Sequence, residues 1–198
     1  MRNCVVVASL LATWNSWHSL DAATQEPTSE ESSRDQAVQR GLAFLREQGQ
    51  AEDGTLSSRV GSGVTSLAVT AALRHGATLD DPLVARGLEA LEGNVQPDGG
   101  VYAGGRLKNY ETCVAIVCFS EANRAAGDGR YDEILKNAEQ FVRGLQIGAD
   151  GRRDRSDPHF GGVGYGGPER PDLSNTAYLL EALQSLEAPA DDPAVQRA

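Results

Sequence analysis

The sequence predicts an all-α fold built from repeated helical hairpins. Three observations carry this. A glycine-rich turn feeds an apolar helix three times. An amphipathic segment precedes each of those turns. The spacing between these segments is roughly constant for the first two units and grows in the third. The clearest instance is Gln96-Pro-Asp-Gly-Gly-Val-Tyr102, followed by Asn109-Tyr-Glu-Thr-Cys-Val-Ala-Ile-Val-Cys-Phe-Ser120. The same event occurs at Asp53-Gly54 before Gly63–Leu73 and at Asp150-Gly151 before Ser174–Leu186.

The amphipathic segments align as Ala37-Val-Gln-Arg-Gly41, Leu83-Val-Ala-Arg-Gly87, Ile134-Leu-Lys-Asn-Ala138 and Ala194-Val-Gln-Arg-Ala198. Their offsets are 46 (Val38 to Val84), 51 (Val84 to Leu135) and 60 (Leu135 to Val195). In the first segment Val38, Leu42 and Leu45 fall on one helical face, with Gln39, Arg40, Arg46 and Glu47 elsewhere. Asp80-Asp81 and Asp191-Asp192 each precede a proline. They read as N-caps with Pro at the first helical position, not as catalytic acids.

The second helix of each unit is apolar for two or three turns: Val64–Leu73, Thr112–Ser120 and Thr176–Leu183, each with a threonine near its start. A helix apolar all round must be buried on all sides. Alternating amphipathic and fully apolar helices predict an outer tier covering an inner one. The third turn, Asp150–Asp172, contains Gly161-Gly-Val-Gly-Tyr-Gly-Gly167 and is the most elaborated.

Ahead of the repeats, residues 1–23 read as a signal peptide. Arg2 is a short positive region, Cys4–Trp14 an apolar stretch too short to span a bilayer, and Asp21-Ala-Ala23 supplies small residues near a cleavage point. Export to the periplasm or extracellular space is the expectation. Residues 24–35 are polar and acidic and read as a linker; the repeat domain is 36–198.

A length of 198 residues suffices for one sizeable core. The net charge of −10 disfavours nucleic acid, and no basic run marks an anionic membrane site. Cys113 and Cys118 are five apart on a predicted helix, about 140° around its axis, so their sulfurs do not meet and the residues read as buried reduced thiols. No P-loop, dinucleotide fingerprint or Ser/His/Asp signature occurs, and no cofactor is implied.

The pattern resembles the squalene cyclase and protein prenyltransferase β-subunit superfamily, an α/α toroid. Its repeat reads basic, Gly/Ala, then aromatic-aliphatic, a Gln, and Gly-x-Trp. Arg40-Gly41 with Phe44-Leu45, Gln48 or Gln50 and Gly54 matches it. So do Arg86-Gly87 with Gln96 and Gly99, and Phe141-Val142 with Gln146 and Gly151. The tryptophan is replaced: Leu56, Val101 or Tyr102, and Arg153 stand at or near its place. A complete ring has about six hairpins, and this chain carries three plus the start of a fourth. The resemblance therefore implies an open arc, closed by further C-terminal hairpins or by a partner chain.

The resemblance implies an isoprenoid or other apolar substrate and terpene-cyclase or prenyltransferase chemistry. The cyclases' Asp-x-Asp-Asp motif is absent, as is the Gly-Cys-Gly-Glu-Gln motif of thioester domains. The nearest echo of the prenyltransferase zinc set is Glu111 and Cys113 with His159. The acid there is Glu and the inner-helix His is missing, so a packed Cys113 and a loop His159 are expected instead of a metal site. Tyr102, Tyr110, Phe160 and Tyr165 lie in turns opening onto the inner helices. They are candidates to line an apolar cavity, or simply to anchor the glycine-rich turns. Glu111 is the single candidate functional carboxylate, or a charge placed favourably at a helix N-terminus. The alternative function is a non-catalytic exported module that binds a protein or glycan.

Overall fold

A computed structural model describes residues 29–166 and 170–198. The expected signal peptide, residues 1–23, lies outside them. Seven α-helices form among the described residues: α1 Ser29–Phe44, α2 Gly63–Arg74, α3 Pro82–Glu92, α4 Lys108–Ala126, α5 Asp132–Leu145, α6 Leu173–Ser185 and α7 Pro193–Arg197. No strand is formed among these residues; Val95 and Val101 make one isolated bridge. The all-α expectation holds.

Helix α1 begins earlier than the sequence pattern suggests. Residues 29–35, read as linker, are already helical. The run from 29 to 40 contains neither Pro nor Gly, so nothing stops the helix from extending outward. Glu30, Ser33, Arg34 and Asp35 of this extension are exposed. Only Val38, Leu42 and Leu45, the face marked by the sequence, reach the core. The helix then passes into a π turn, Leu45–Gly49, closed by the Gln50 N–H donating to the Leu45 carbonyl at 3.0 Å. That turn inserts one residue. Arg46 therefore precedes Gln50 by four, while Arg143 precedes Gln146 by three, yet both pairs occupy the same structural places.

Helices α2, α4 and α6 pack in a row, with α3 against α2 and α5 against α4. Side-chain bonds show that the row runs parallel. Ser62 meets Glu111 and Asn109 meets Asn175 at one end, while Arg74 meets Glu121 and Ser120 meets Ser185 at the other. Gly87 lets α3 approach closely, because a Cβ there would overlap the Val69 side chain.

The middle helix is enclosed over almost its whole length. Asn109, Glu111–Ser120 and Ala122 are buried. Phe119, Ile116, Leu83, Leu91, Leu179 and Leu183 fill the largest part of the core. The expectation of complete burial therefore holds for α4. At the ends of the row, α2 and α6 each leave one face in solvent, with Leu67 46 % and Leu173 89 % exposed.

The same turn is built three times. The Ala51, Gln96 and Ile147 N–H groups donate to the Thr55, Gly100 and Gly162 carbonyls at 2.9, 2.8 and 3.0 Å. Gly54, Gly99 and Gly161 adopt φ of +81°, +90° and +84°. A Cβ on each would strike the carbonyl of Arg86, Asn137 and Arg197 respectively, the same position in three successive outer helices. Two residues on, the Leu56, Val101 and Val163 N–H groups donate to the hydroxyls of Thr65, Thr112 and Thr176 at 2.9, 3.0 and 3.2 Å. These threonines are the ones marked near the start of each apolar helix. All three turns thus tie an inner helix to the next outer one.

This register corrects three sequence assignments. The third turn's glycine is Gly161, not Gly151, which has φ +72° and open space around it. The residue at the tryptophan place is Val163, fully buried, not the exposed Arg153. In the second unit the place of Gln50 and Gln146 is held by Val95, not Gln96. An insertion explains the first two. Three steps separate Ala51 from Gly54, but fourteen separate Ile147 from Gly161. Asp150-Gly151 is a turn within the insertion that happens to fall at the expected distance.

Gln50 and Gln146 bolt each turn to an outer helix. Gln50 Nε2 donates to the Gly54 and Leu83 carbonyls at 2.9 and 3.0 Å; Gln146 Nε2 donates to those of Gly161 and Ala194, both at 2.9 Å. Asp81 and Asp192 cap α3 and α7, accepting from the Leu83 and Ala194 N–H groups. Each also takes a two-pronged ion pair, from Arg46 and Arg143. The Arg143 guanidinium holds the Asp192 carboxyl down to about 2. A group depressed in the folded state stabilises above its unfolded value and loses that contribution as pH falls through the folded one. Asp192→Asn should cost about 1–2 kcal/mol at pH 7. The gap from wild type, read by urea unfolding, should close between about pH 4 and pH 2.

Cys113 and Cys118 are free and buried, as the spacing implied. Burial pushes the Cys118 thiol up to about 12 and raises Cys113 as well. Neither should react with a thiol reagent in the native protein at pH 8, and both should react at once in denaturant.

Candidate functional site

Glu111 sits in the first turn of α4 and is 1 % exposed. One of its oxygens, Oε2, accepts three hydrogen bonds. The Ser62 N–H donates at 2.9 Å, the Ser62 hydroxyl at 2.8 Å and the Ala103 N–H at 2.9 Å. Ser62 precedes the first residue of α2, so the carboxylate spans two neighbouring inner helices and the loop between α3 and α4. Gly61, at φ +91°, leaves the room for it, since a Cβ there would lie 2.5 Å from Oε1. The geometry is that of a clamp. A substrate cannot reach the group without dismantling these contacts.

The aromatic candidates divide into separate places. Tyr110 lies edge-on to Tyr165 (centroids 6.4 Å apart) and to Tyr178 (5.0 Å). Its ring rests on the N-terminus of α2, where Gly63 admits it: a Cβ would stand 2.6 Å from Cε1. Burial raises the Tyr110 phenol above its ordinary range, and the neighbouring tyrosines add to this. Tyr165 is 51 % exposed, and its carbonyl accepts from the Asn109 N–H at 2.8 Å. This trio is an aromatic surface at the N-terminal end of α4 and α6, open to solvent on the Tyr165 side.

Tyr102 and Phe160 do not join it. Tyr102 packs against Phe141 of α5 at 5.8 Å, and its hydroxyl donates to Asp98 at 2.7 Å. There it borders a shallow groove of about 380 Å³ lined by Gln96, Asp98, Asn137, Gln140 and Phe141. Phe160 lies on the inserted loop, against Gly148 and beneath the Arg155 guanidinium at 6.0 Å. Tyr102 thus packs on an outer helix and Phe160 on its own loop, apart from the tyrosine trio.

Glu111, Cys113 and His159 are likewise kept apart. The Cys113 thiol points to Asn109 at 3.5 Å, and His159 is an exposed loop residue beside Asp157. Among the described residues no group of three or more His, Cys, Asp or Glu side chains could hold a metal ion.

Sequence reasoning missed Tyr178. Its signal was present: it stands two residues after Thr176, where Leu67 and Val114 stand after Thr65 and Thr112. Ser62 was missed as the partner of Glu111, because the link crosses 49 positions of sequence.

Among the described residues no helix is long and apolar enough to cross a membrane. Protein-family models, curated proteins and solved structures gave no match to this chain.

Proposed function

We propose that this chain is an arc of α/α hairpins of the terpenoid-cyclase and prenyltransferase-like type, exported, that binds an apolar ligand without transforming it. The turn repeated at Gly54, Gly99 and Gly161 and the parallel row of α2, α4 and α6 support the hairpin-toroid part of this reading. The binding part rests on one observation. The accessible chemistry is aromatic, Tyr110 with Tyr165 and Tyr178, while Glu111 is buried and its Oε2 already accepts three hydrogen bonds. Tyrosine edges and faces favour a flat or branched apolar body, and isoprenoids are the class the sequence resemblance implies.

The test uses the full chain with farnesol, squalene and farnesyl diphosphate. Quenching of tyrosine fluorescence should report binding, Tyr178→Ala with Tyr165→Ala should abolish it, and no product should form. Turnover of any of the three would overturn the non-catalytic reading. Absence of binding to all three would overturn the isoprenoid reading. Cleavage of the leader can be read by N-terminal sequencing of secreted material; an intact leader on material retained inside the cell would contradict export.

A further inference from the structure

Each of the three turns joins two successive outer helices, and the joints differ in the side chains that fill them. At the third, Gln146 Nε2 donates to the Gly161 and Ala194 carbonyls, and its Oε1 accepts from the Arg197 guanidinium at 2.9 Å. At the first, Gln50 makes the same two donations, to Gly54 and Leu83. Its buried Oε1 has no partner among the described residues. Arg86, which stands where Arg197 stands, turns back to the Pro82 carbonyl at 3.3 Å.

The second joint carries neither side chain. Val95 replaces the glutamine and Asn137 the arginine. Two acids take the places of the Arg143–Asp192 ion pair, Glu92 and Asp132. Gln96 is no substitute for the missing amide, because its Nε2 donates to the Asn94 and Tyr102 carbonyls at 3.1 and 2.9 Å. The Gly99 carbonyl therefore lacks the glutamine donor that the Gly54 and Gly161 carbonyls receive.

The groove of about 380 Å³ opens at this joint, between Asp98 and Gly99 of the turn and Asn137, Gln140 and Phe141 of α5. The Phe141 ring already carries Lys108 Nζ, 5.9 Å from its centroid, so the anionic side of the groove is the turn. There the exposed Asp98 accepts from the Gly100 N–H at 3.1 Å through one oxygen and from the Tyr102 hydroxyl at 2.7 Å through the other. Each oxygen has room for a further donor. A carbonyl beside a carboxylate suits a planar cation with several N–H groups, which is what a guanidinium is.

We propose that this groove binds the guanidinium of an arginine side chain presented by a partner polypeptide. The incoming side chain does at the second joint what Arg197 does from within the chain at the third. The groove is shallow, so a free guanidine gains little there and the polypeptide flanking the arginine supplies the remaining contact. The site shares no residue with the Tyr110, Tyr165 and Tyr178 surface and does not depend on what that surface binds.

The test is a ¹⁵N NMR titration of the full chain with a pentapeptide blocked at both ends, one central arginine between alanines. The amide signals of Gly99, Asn137 and Gln140 should shift and saturate with a Kd of about 1 mM or below. Agmatine should move the same signals with weaker affinity, and the lysine version of the peptide should move them little. No response to the arginine peptide at about 10 mM would overturn the proposal. An equal response to lysine would reduce the site to charge alone, and agmatine binding as tightly as the peptide would remove the polypeptide partner; either overturns it as stated. Val95→Gln with Asn137→Arg gives the second joint the side chains of the third. This double variant should lose the peptide response and unfold at higher urea than wild type. If it does not fold, Asn137→Arg alone, at an exposed position, decides, and it too should lose the response. Wild-type binding by the folded variant would place the arginine elsewhere and overturn the groove.

Discussion

Glu111→Ala should cost about 3–5 kcal/mol of folding stability, among the largest effects of any single substitution in this chain. The carboxylate is the shared acceptor for the Ser62 N–H, the Ser62 hydroxyl and the Ala103 N–H. Truncation leaves buried backbone donors without a partner, and each such orphan costs about 1–3 kcal/mol. It also opens a cavity between α2 and α4. Glu111→Gln keeps one acceptor oxygen and the same volume but loses the charge, so about 1–2 kcal/mol is expected. Ser62→Ala removes a single hydroxyl donor and should cost about 1 kcal/mol. Urea unfolding at pH 7 ranks the three. If Glu111→Ala loses less than about 1 kcal/mol, the clamp is not what holds these helices together, and a chemical role for the carboxylate regains its place.

The second large effect is at Gly54. Its φ of +81° costs a side chain about 1–2 kcal/mol, and an added Cβ would also strike the Arg86 carbonyl in the middle of α3. Backbone cannot rotate away as a side chain can. Gly54→Ala should therefore lose about 3–5 kcal/mol in total. Gly161→Ala meets the same obstacle at Arg197. Helix α7 is only five residues long there, so it can lift off and limit the loss to its own docking energy. Gly151→Ala has open space and carries only the conformational term, about 1–2 kcal/mol. The expected order is Gly54, then Gly161, then Gly151. Gly151 costing more than Gly161 would restore the Asp150-Gly151 turn as the third repeat and undo the register.

Helix class and order were legible from periodicity because α4 has no polar face to disguise. Its run from Thr112 to Ser120 can only be buried. The caps were legible because Asp-Pro states both a cap and a first position. Arg46 and Arg143 were not legible as their partners, because the ion pairs join positions 35 and 49 residues apart. The third turn misled because an insertion placed a second Asp-Gly at the spacing of the first two. The first-turn position of Glu111 agrees with the helix N-terminus reading; its bond to Ser62 needed the fold. The aromatic candidates were chosen by loop position alone. That criterion brought in Tyr102 and Phe160, which face other elements, and passed over Tyr178, which is helical.

The enclosure of α4 between α2 and α6 underlies both the clamp and the tyrosine surface. Amide hydrogen exchange of the full chain tests it most directly. Residues 111–120 should be the slowest to exchange in the protein, protected to the level of global unfolding, while residues 29–36 exchange within seconds. Exchange across 111–120 as fast as in α1 would contradict a wholly enclosed central helix.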